Sequence, residues 1–318
     1  MSTPGFCDLS RQATSPVSSV VHAVQFIRKM RGGSQPALIR CNDDKLYVVK
    51  FFRNQQGPNL LANEVLGNEL LHTCNLPTPP WRPVFVSASF LKQNSDVSFE
   101  TTLGNSSIES GLHFGSEFLG GEKTGQAYEW LPKGLNSRVI NREDFLGIHI
   151  FDIWANHCDH RQALFTTREG NSSFRAVFID NGHLFGGPEW KLVSRPGESL
   201  GLDSRFHTSE WPTEAIDAWI CRFETRLLSS LLNVVPRIPK FWYSGDINRL
   251  IGSLADRLST LRARFAEELT RKQILSRLSR VDRTNAQLSL HRLELPLYGD
   301  LRKRPASCLT SGVHGRGR

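Results

Sequence analysis

The sequence predicts an α+β protein in which a small strand-rich lobe precedes a larger helical lobe. Three observations point there. Short apolar runs rich in Val, Ile, Phe and Tyr, separated by Gly, Asn and Asp turns, dominate residues 18–131. From Pro132 onward the apolar residues fall at helical spacing. One further pair of strand-like runs, 162–167 and 174–180, is embedded in the helical half, with Asp159 just before it and Asp180 closing it. Strands with one helix, followed mostly by helices, suit two packed layers segregated along the chain. A length of 318 residues is enough for two such lobes.

Residues 1–17 are polar and are expected to form a flexible N-terminus. The N-terminal lobe, 18–131, opens with a strand over Val20–Met30, then a Gly32-Gly33-Ser34-Gln35 turn. Two strands, Ala37–Cys41 and Leu46–Phe52, flank the hairpin turn Asn42-Asp43-Asp44. Lys50 lies among Tyr47, Val48, Val49, Phe51 and Phe52, so its ammonium needs a partner or a polar pocket. Leu61, Val65, Leu66 and Leu70 mark a helix over Asn59–Cys74 that carries Glu64. Leu76-Pro77-Thr78-Pro79-Pro80 forces an extended exit. A strand is expected over Trp81–Leu91, a loop over 92–110, and short strands at Leu112–Phe118 and Gln126–Leu131.

The second lobe, 132–295, opens with a helix whose apolar face is Phe145, Ile148, Phe151 and Trp154, with Asn141 as its cap. Helices are also expected at Thr213–Val234 and Ser244–Val281, the latter with Leu250, Leu254, Leu258, Leu261 and Phe265 as its stripe. Residues 296–318 read as a disordered basic tail.

The formal charge of +8 favours anionic partners such as nucleotides, although much of the excess sits in the tail. The basic helix reads first as a solvated face, which leaves nucleic acid a secondary partner. No apolar run reaches the length of about 18 residues that a membrane-spanning helix needs, and no signal peptide is evident. The six cysteines are scattered without a C-x-x-C pair, the pattern of reduced thiols in a cytoplasmic protein. His157, Cys158 and His160 stand too close in sequence to close a zinc tetrahedron. Cys158 lacks the base and orienting group of a nucleophile.

The polar residues that remain form an ordered kit. A hairpin turn centred between residues 170 and 171 sets Gln162 opposite Ile179 and returns Asp180 to Asp159. Two converging carboxylates suit metal-assisted chemistry. Lys50 and Glu64 upstream narrow this to nucleotide phosphates. In phosphoryl transfer a lysine holds the phosphates and a carboxylate holds the lysine. One carboxylate orients the attacking hydroxyl, while another carboxylate and an amide hold magnesium.

The segments that carry this kit resemble the HipA-like kinases, a branch of the protein-kinase-like superfamily related to the phosphatidylinositol kinases. Gly32-Gly33-Ser34-Gln35 is similar to that family's short phosphate loop, and Val48-Val49-Lys50 to its ATP-lysine strand. Ala62-Asn63-Glu64 with Leu76-Pro77 resembles its helix and exit. Asp159-His160-Arg161-Gln162 and Ile179-Asp180-Asn181-Gly182 resemble its catalytic and metal segments. Gly111–Ser116 and Trp242–Asp246 look like the compact bacterial subgroup, and the likeness runs over roughly 25–265.

The resemblance implies a two-lobed kinase-like fold, ATP and Mg²⁺ as cofactors, and a Ser or Thr hydroxyl of a protein as acceptor. It implies Asp159 as base, Lys50 and Glu64 as the phosphate pair, and Ser34 and Gln35 approaching the phosphates through backbone N–H groups. Gln162 and Asp180 are the implied metal ligands. Ala127–Leu131, with Glu129, is the implied adenine hinge, and His113–Phe118 competes for that role. The family's metal-binding amide lies five residues past the catalytic Asp, whereas here Gln162 lies three past it, and His157 replaces an Asn. A pseudokinase or other nucleotide-binding module, or a small-molecule or lipid kinase, are the alternative readings.

Overall fold

Alternating side chains in the first strands bury one face each, and the strands curl until the sheet closes on itself. In the computed structural model, which describes residues 19–120, 126–168, 170, 172–192 and 211–271, the N-terminal elements run in the expected order. They are β1 (Val21–Lys29), β2 (Ala37–Cys41), β3 (Leu46–Lys50), α1 (Leu60–Thr73), β4 (Trp81–Val86), α2 (Ala88–Gln93), β5 (Ser98–Thr101), β6 (Gly104–Ser107) and β7 (Gly111–Glu117). The barrel order is β1-β2-β3-β7-β4. Antiparallel ladders join all neighbours except β1 and β4, which meet in parallel at Val21–Val84 and His22–Phe85. Ile39, Tyr47, Val49, Phe51, Val84 and Val86 fill its interior.

Two expectations fail here. The run 81–91 is not one strand: it breaks after Val86, where the Ser87 hydroxyl accepts the Phe90 N–H at 3.1 Å and caps α2. Residues 92–110 are not all loop, because 98–107 form the β5–β6 hairpin.

Helix α1 is buried around nearly its whole circumference, lying between the barrel and the helices that follow. Gly67 makes this possible. A Cβ there would come within 2.5 Å of both Asn181 and Leu184.

The second half contains β8 (Gln126–Tyr128), α3 (Asp144–Ala155), β9 (Gln162–Thr167), β10 (Arg175–Ile179), α4 (Thr213–Val234) and α5 (Ile247–Ser259). β10, β9 and β8 form one antiparallel sheet, and Gln162 faces Ile179 as the hairpin register predicts. The apolar face of α3 is buried as expected. Asn141 does not cap it. Its amide instead bridges Asp144 and the backbone of Ala176, tying the start of α3 to β10. α4 has the predicted limits and packs against α1 and α3.

α5 begins at Asp246, whose carboxylate accepts the N–H groups of Asn248 and Arg249. It ends at Ser259, and helical turns resume after Thr260, so the expected single helix is interrupted. Its stripe, Leu250 to Phe265, is buried. Residues 272–281 of that expected helix, and the expected tail at 296–318, lie outside the described residues. The described residues up to 268 belong to one compact unit, and 269–271 fall outside it. The α+β expectation of a strand-rich lobe followed by a helical lobe holds.

Candidate active site

β3 ends on Lys50 with its side chain turned toward α1. The Lys50 ammonium bonds the Glu64 carboxylate and, at 2.8 Å, Asp180 Oδ1. The Lys50 side chain is 11% exposed and that of Glu64 4%. Burial alone would lower the Lys50 pKa, but the two carboxylates outweigh it and raise the value above the usual lysine range. For Asp180, burial works to raise the pKa, and Lys50 with Arg161 overcomes it, so the carboxyl is held below its ordinary value. Lys50 and Asp180 are therefore both charged at neutral pH.

The other Asp180 oxygen accepts a hydrogen bond from Gln162 Nε2 at 2.8 Å. Glu64 also reaches the segment that follows β10, since its second oxygen accepts the Asn181 N–H at 3.3 Å. Asp180 itself has φ of +65°, in the left-handed region that few residues other than Gly occupy, though Asp and Asn do so more readily than most. Asp159 follows the left-handed turn at Asn156 that ends α3, and its carboxylate accepts the N–H of His160 at 2.7 Å.

These groups open onto one cavity of about 360 Å³. Val48 and Pro36 line it from the barrel and Leu164 and Ile179 from the β9–β10 sheet. Lys50, Glu64, Asp159, Gln162 and Asp180 line its polar part. Gly32, Gly33 and Ser34 border it, and the Ser34 carbonyl is fixed by Asn54 Nδ2 at 2.8 Å. Gln35 is not among the lining residues. Its N–H closes the turn onto Gly32 O, and its side chain makes two hydrogen bonds to the Glu100 backbone. Ser116–Gly120, the end of β7 and the three residues after it, line the cavity, as do Ala127 and Glu129.

Several residues that shape the site have no role assigned from sequence. Asn63 Nδ2 bonds the carbonyls of Gly182 and Leu184 at 2.9 and 3.0 Å, and its Oδ1 accepts from Trp190 Nε1 at 2.7 Å. This holds α1 against the chain that follows Asp180. Around the loop that carries Asp159, the residues Asp152, His157 and Arg161 form a buried polar cluster. The signal for Asp152 was present: it is an acid in the apolar face between Phe151 and Ile153, a place that requires a cation.

Among the described residues no cluster of three or more His, Cys, Asp or Glu side chains is arranged to enclose a metal ion. The donor set nevertheless fits a nucleotide-borne cation. Mg²⁺ is commonly held by one or two carboxylates together with substrate phosphates and water, and Asp180 supplies such a carboxylate at the cavity wall.

A family model described as HipA-like kinase matches residues 23–172. Over that span the chain is HipA-like in sequence. The span contains Lys50, Glu64, Asp159 and Gln162 and stops before Asp180. The match bears out the resemblance and supports a phosphotransferase of the kinase class. No curated protein matches the chain. Among solved structures, the Golgi casein kinase with Mn and ADP bound is 13% identical, with 79% of this chain and 73% of that one covered and a TM-score of 0.46. The proinflammatory kinase CtkA of Helicobacter pylori is 10% identical, with coverage of 80% and 98% and a TM-score of 0.47. No helix among the described residues is long and apolar enough to cross a membrane.

Proposed function

We propose that this protein transfers the γ-phosphoryl group of ATP to a Ser or Thr hydroxyl of a protein, with a divalent cation such as Mg²⁺ as cofactor. The observation that carries the reading is the Lys50–Glu64–Asp180 ion triad in the same cavity as Asp159. In this reading 18–131 is the nucleotide-binding lobe and 132–295 the catalytic lobe. A cytoplasmic setting belongs to the same reading, in keeping with Cys41, Cys74 and Cys221, which form no disulfide among the described residues.

The adenine ring lies between Val48 above and Leu164 and Ile179 below. Its edge meets the backbone of Ser116–Gly120, which favours the end of β7 and the residues just after it as the hinge and leaves Glu129 at the side of the cavity. Lys50, oriented by Glu64, binds the phosphates, and the Gly32-Gly33-Ser34 turn covers them. Asp159 orients the acceptor hydroxyl and takes its proton. Asp180 is the residue to hold the cation, with Gln162 alongside. The cation, when bound, supplies neutralisation of phosphate charge. Fixed charges aimed at the transferring group lower the barrier because no solvent has to reorganise around it.

The test is the purified protein with labelled ATP and Mg²⁺, scored for transfer to itself and to generic protein acceptors. Absence of transfer, of ATP hydrolysis and of ATP binding together overturns the proposal. A second reading, a nucleotide-binding pseudokinase, is favoured by one contact: Gln162 presents its N–H to Asp180 and not its carbonyl oxygen to the place where a cation would lie. Nucleotide binding without turnover, unaffected by Mg²⁺, selects that reading.

A further inference from the structure

Arg161 is the most constrained cation of the site, and the phosphotransfer scheme gives it no part. Its side chain is 1% exposed. Nε and Nη2 fork onto the two Asp152 oxygens at 3.1 and 2.5 Å. Nη1 turns the other way, donating to Asn181 Oδ1 at 2.8 Å, Ile179 O at 3.1 Å and Asp180 O at 3.4 Å. One guanidinium thus joins α3, the catalytic loop and three consecutive residues of the metal segment. The middle one of those residues is Asp180, whose left-handed backbone conformation needs support from its surroundings.

We infer that Arg161, held by Asp152, is the positioning residue that sets the Ile179–Asn181 turn and thereby aims the Asp180 carboxylate at a nucleotide-bound divalent cation. The inference rests on the phosphotransferase reading. Two features separate this role from mere stabilisation. A buried ion pair is seldom needed for stability and is often replaceable by apolar residues. Here, moreover, all the bonds of Nη1 go to the metal segment, and the opposite face of that segment is already tied to Glu64 through the Asn181 N–H. The turn is gripped from both sides, which fixes the direction of the side chain between them. A lysine at 161 keeps the charge next to Asp152, but a single ammonium cannot reproduce the planar fork that reaches both elements.

The experiment is calorimetric titration of ATP into the full chain, once with Mg²⁺ and once with a chelator, for the wild type and Arg161→Lys. The ratio of the two Kd values measures how far the cation tightens nucleotide binding. In Arg161→Lys that ratio should drop by about 10- to 100-fold, the usual cost of losing a group that orients a metal ligand. The chelator Kd should stay within about threefold, since Lys50 and the adenine slot are untouched. An unchanged ratio overturns the inference, and so does an equal weakening with and without Mg²⁺. A wild type whose ATP affinity ignores Mg²⁺ overturns the phosphotransferase reading along with it. If Arg161→Lys does not fold, Asn181→Leu takes its place, because it removes one Arg161 acceptor and leaves the Asp152 fork whole. The same fall in ratio supports the inference and an unchanged ratio overturns it.

Discussion

The two halves of the site are built differently. On the barrel side, Lys50 and Glu64 are sealed between β3 and α1, with side-chain exposures of 11% and 4%. On the hairpin side, the Asp180 side chain is 27% exposed and Gln162 lies at the surface. The buried half holds its charges by mutual pairing in a region of low dielectric, where pairing is strong and separation costly. The open half keeps carboxylates within reach of solvent, where a cation and a hydroxyl can arrive and leave. A preorganised binding half beside an accessible chemical half is the division expected where positioning and charge stabilisation do most of the catalysis.

Substitutions can break that contrast, beginning with the largest effect. Lys50→Ala leaves Glu64 and Asp180 facing each other without a cation. Transfer should fall by on the order of 100- to 1,000-fold, as when one charge-stabilising donor is removed. Kinetics with saturating ATP check this, and activity near wild type would remove Lys50 from the site. Asp159→Asn attacks only the open half. It should lower kcat by on the order of 100-fold or more while leaving the ATP Kd within about threefold. A parallel rise in Kd would show that the halves are not separable.

Gly67→Ala tests the packing of α1 over Asn181 and Leu184. The added methyl has no room, so denaturant unfolding should show a loss of about 1–3 kcal/mol. Wild-type stability would mean that α1 moves aside at little cost.

The smallest effect is in pH. Each half contains a buried histidine with a lowered pKa, His113 on β7 of the barrel and His157 just after α3. Burial lowers His113 to about 4, and burial with Arg161 lowers His157. Both are neutral in the folded chain, and the unfolded chain takes up their protons near pH 6.5. Stability should therefore be full above that value and decline as pH falls below it. Asp152 and Asp180, whose carboxyls are held low, add their own loss only in more acidic solution. Thermal unfolding between pH 7.5 and 5 checks the sign. His113→Gln and His157→Gln should each flatten the curve, and an unchanged slope in both would reject the account.

The sequence was legible wherever one local rule set the outcome. Tight turn chemistry placed the β9–β10 register correctly, and that alone brought Gln162 to Ile179. Helical spacing gave α1 and α4 nearly to the residue. Reading failed where a single polar side chain redirected the backbone. Ser87 ended a strand that apolar character alone would have continued. It also failed where a role depends on contacts distant in the chain. Gln35 is drawn from the cavity by Glu100, and Asn141 joins β10 where a helix cap was expected. Arg161 has no assigned role in the sequence, because its partners Asp152 and Asn181 lie nine and twenty residues away.

The closed barrel has one more consequence. A strand at the margin of a sheet offers unpaired N–H and C=O groups, which invite addition of a foreign strand. The parallel seam between β1 and β4 covers that margin at Val21–Val84 and His22–Phe85. Strand addition is closed off along that stretch. A partner that meets this lobe there reads outer side chains such as Val24 and Ile27 on β1, and recognition becomes a matter of surface chemistry that point substitutions can reprogram without disturbing the cavity.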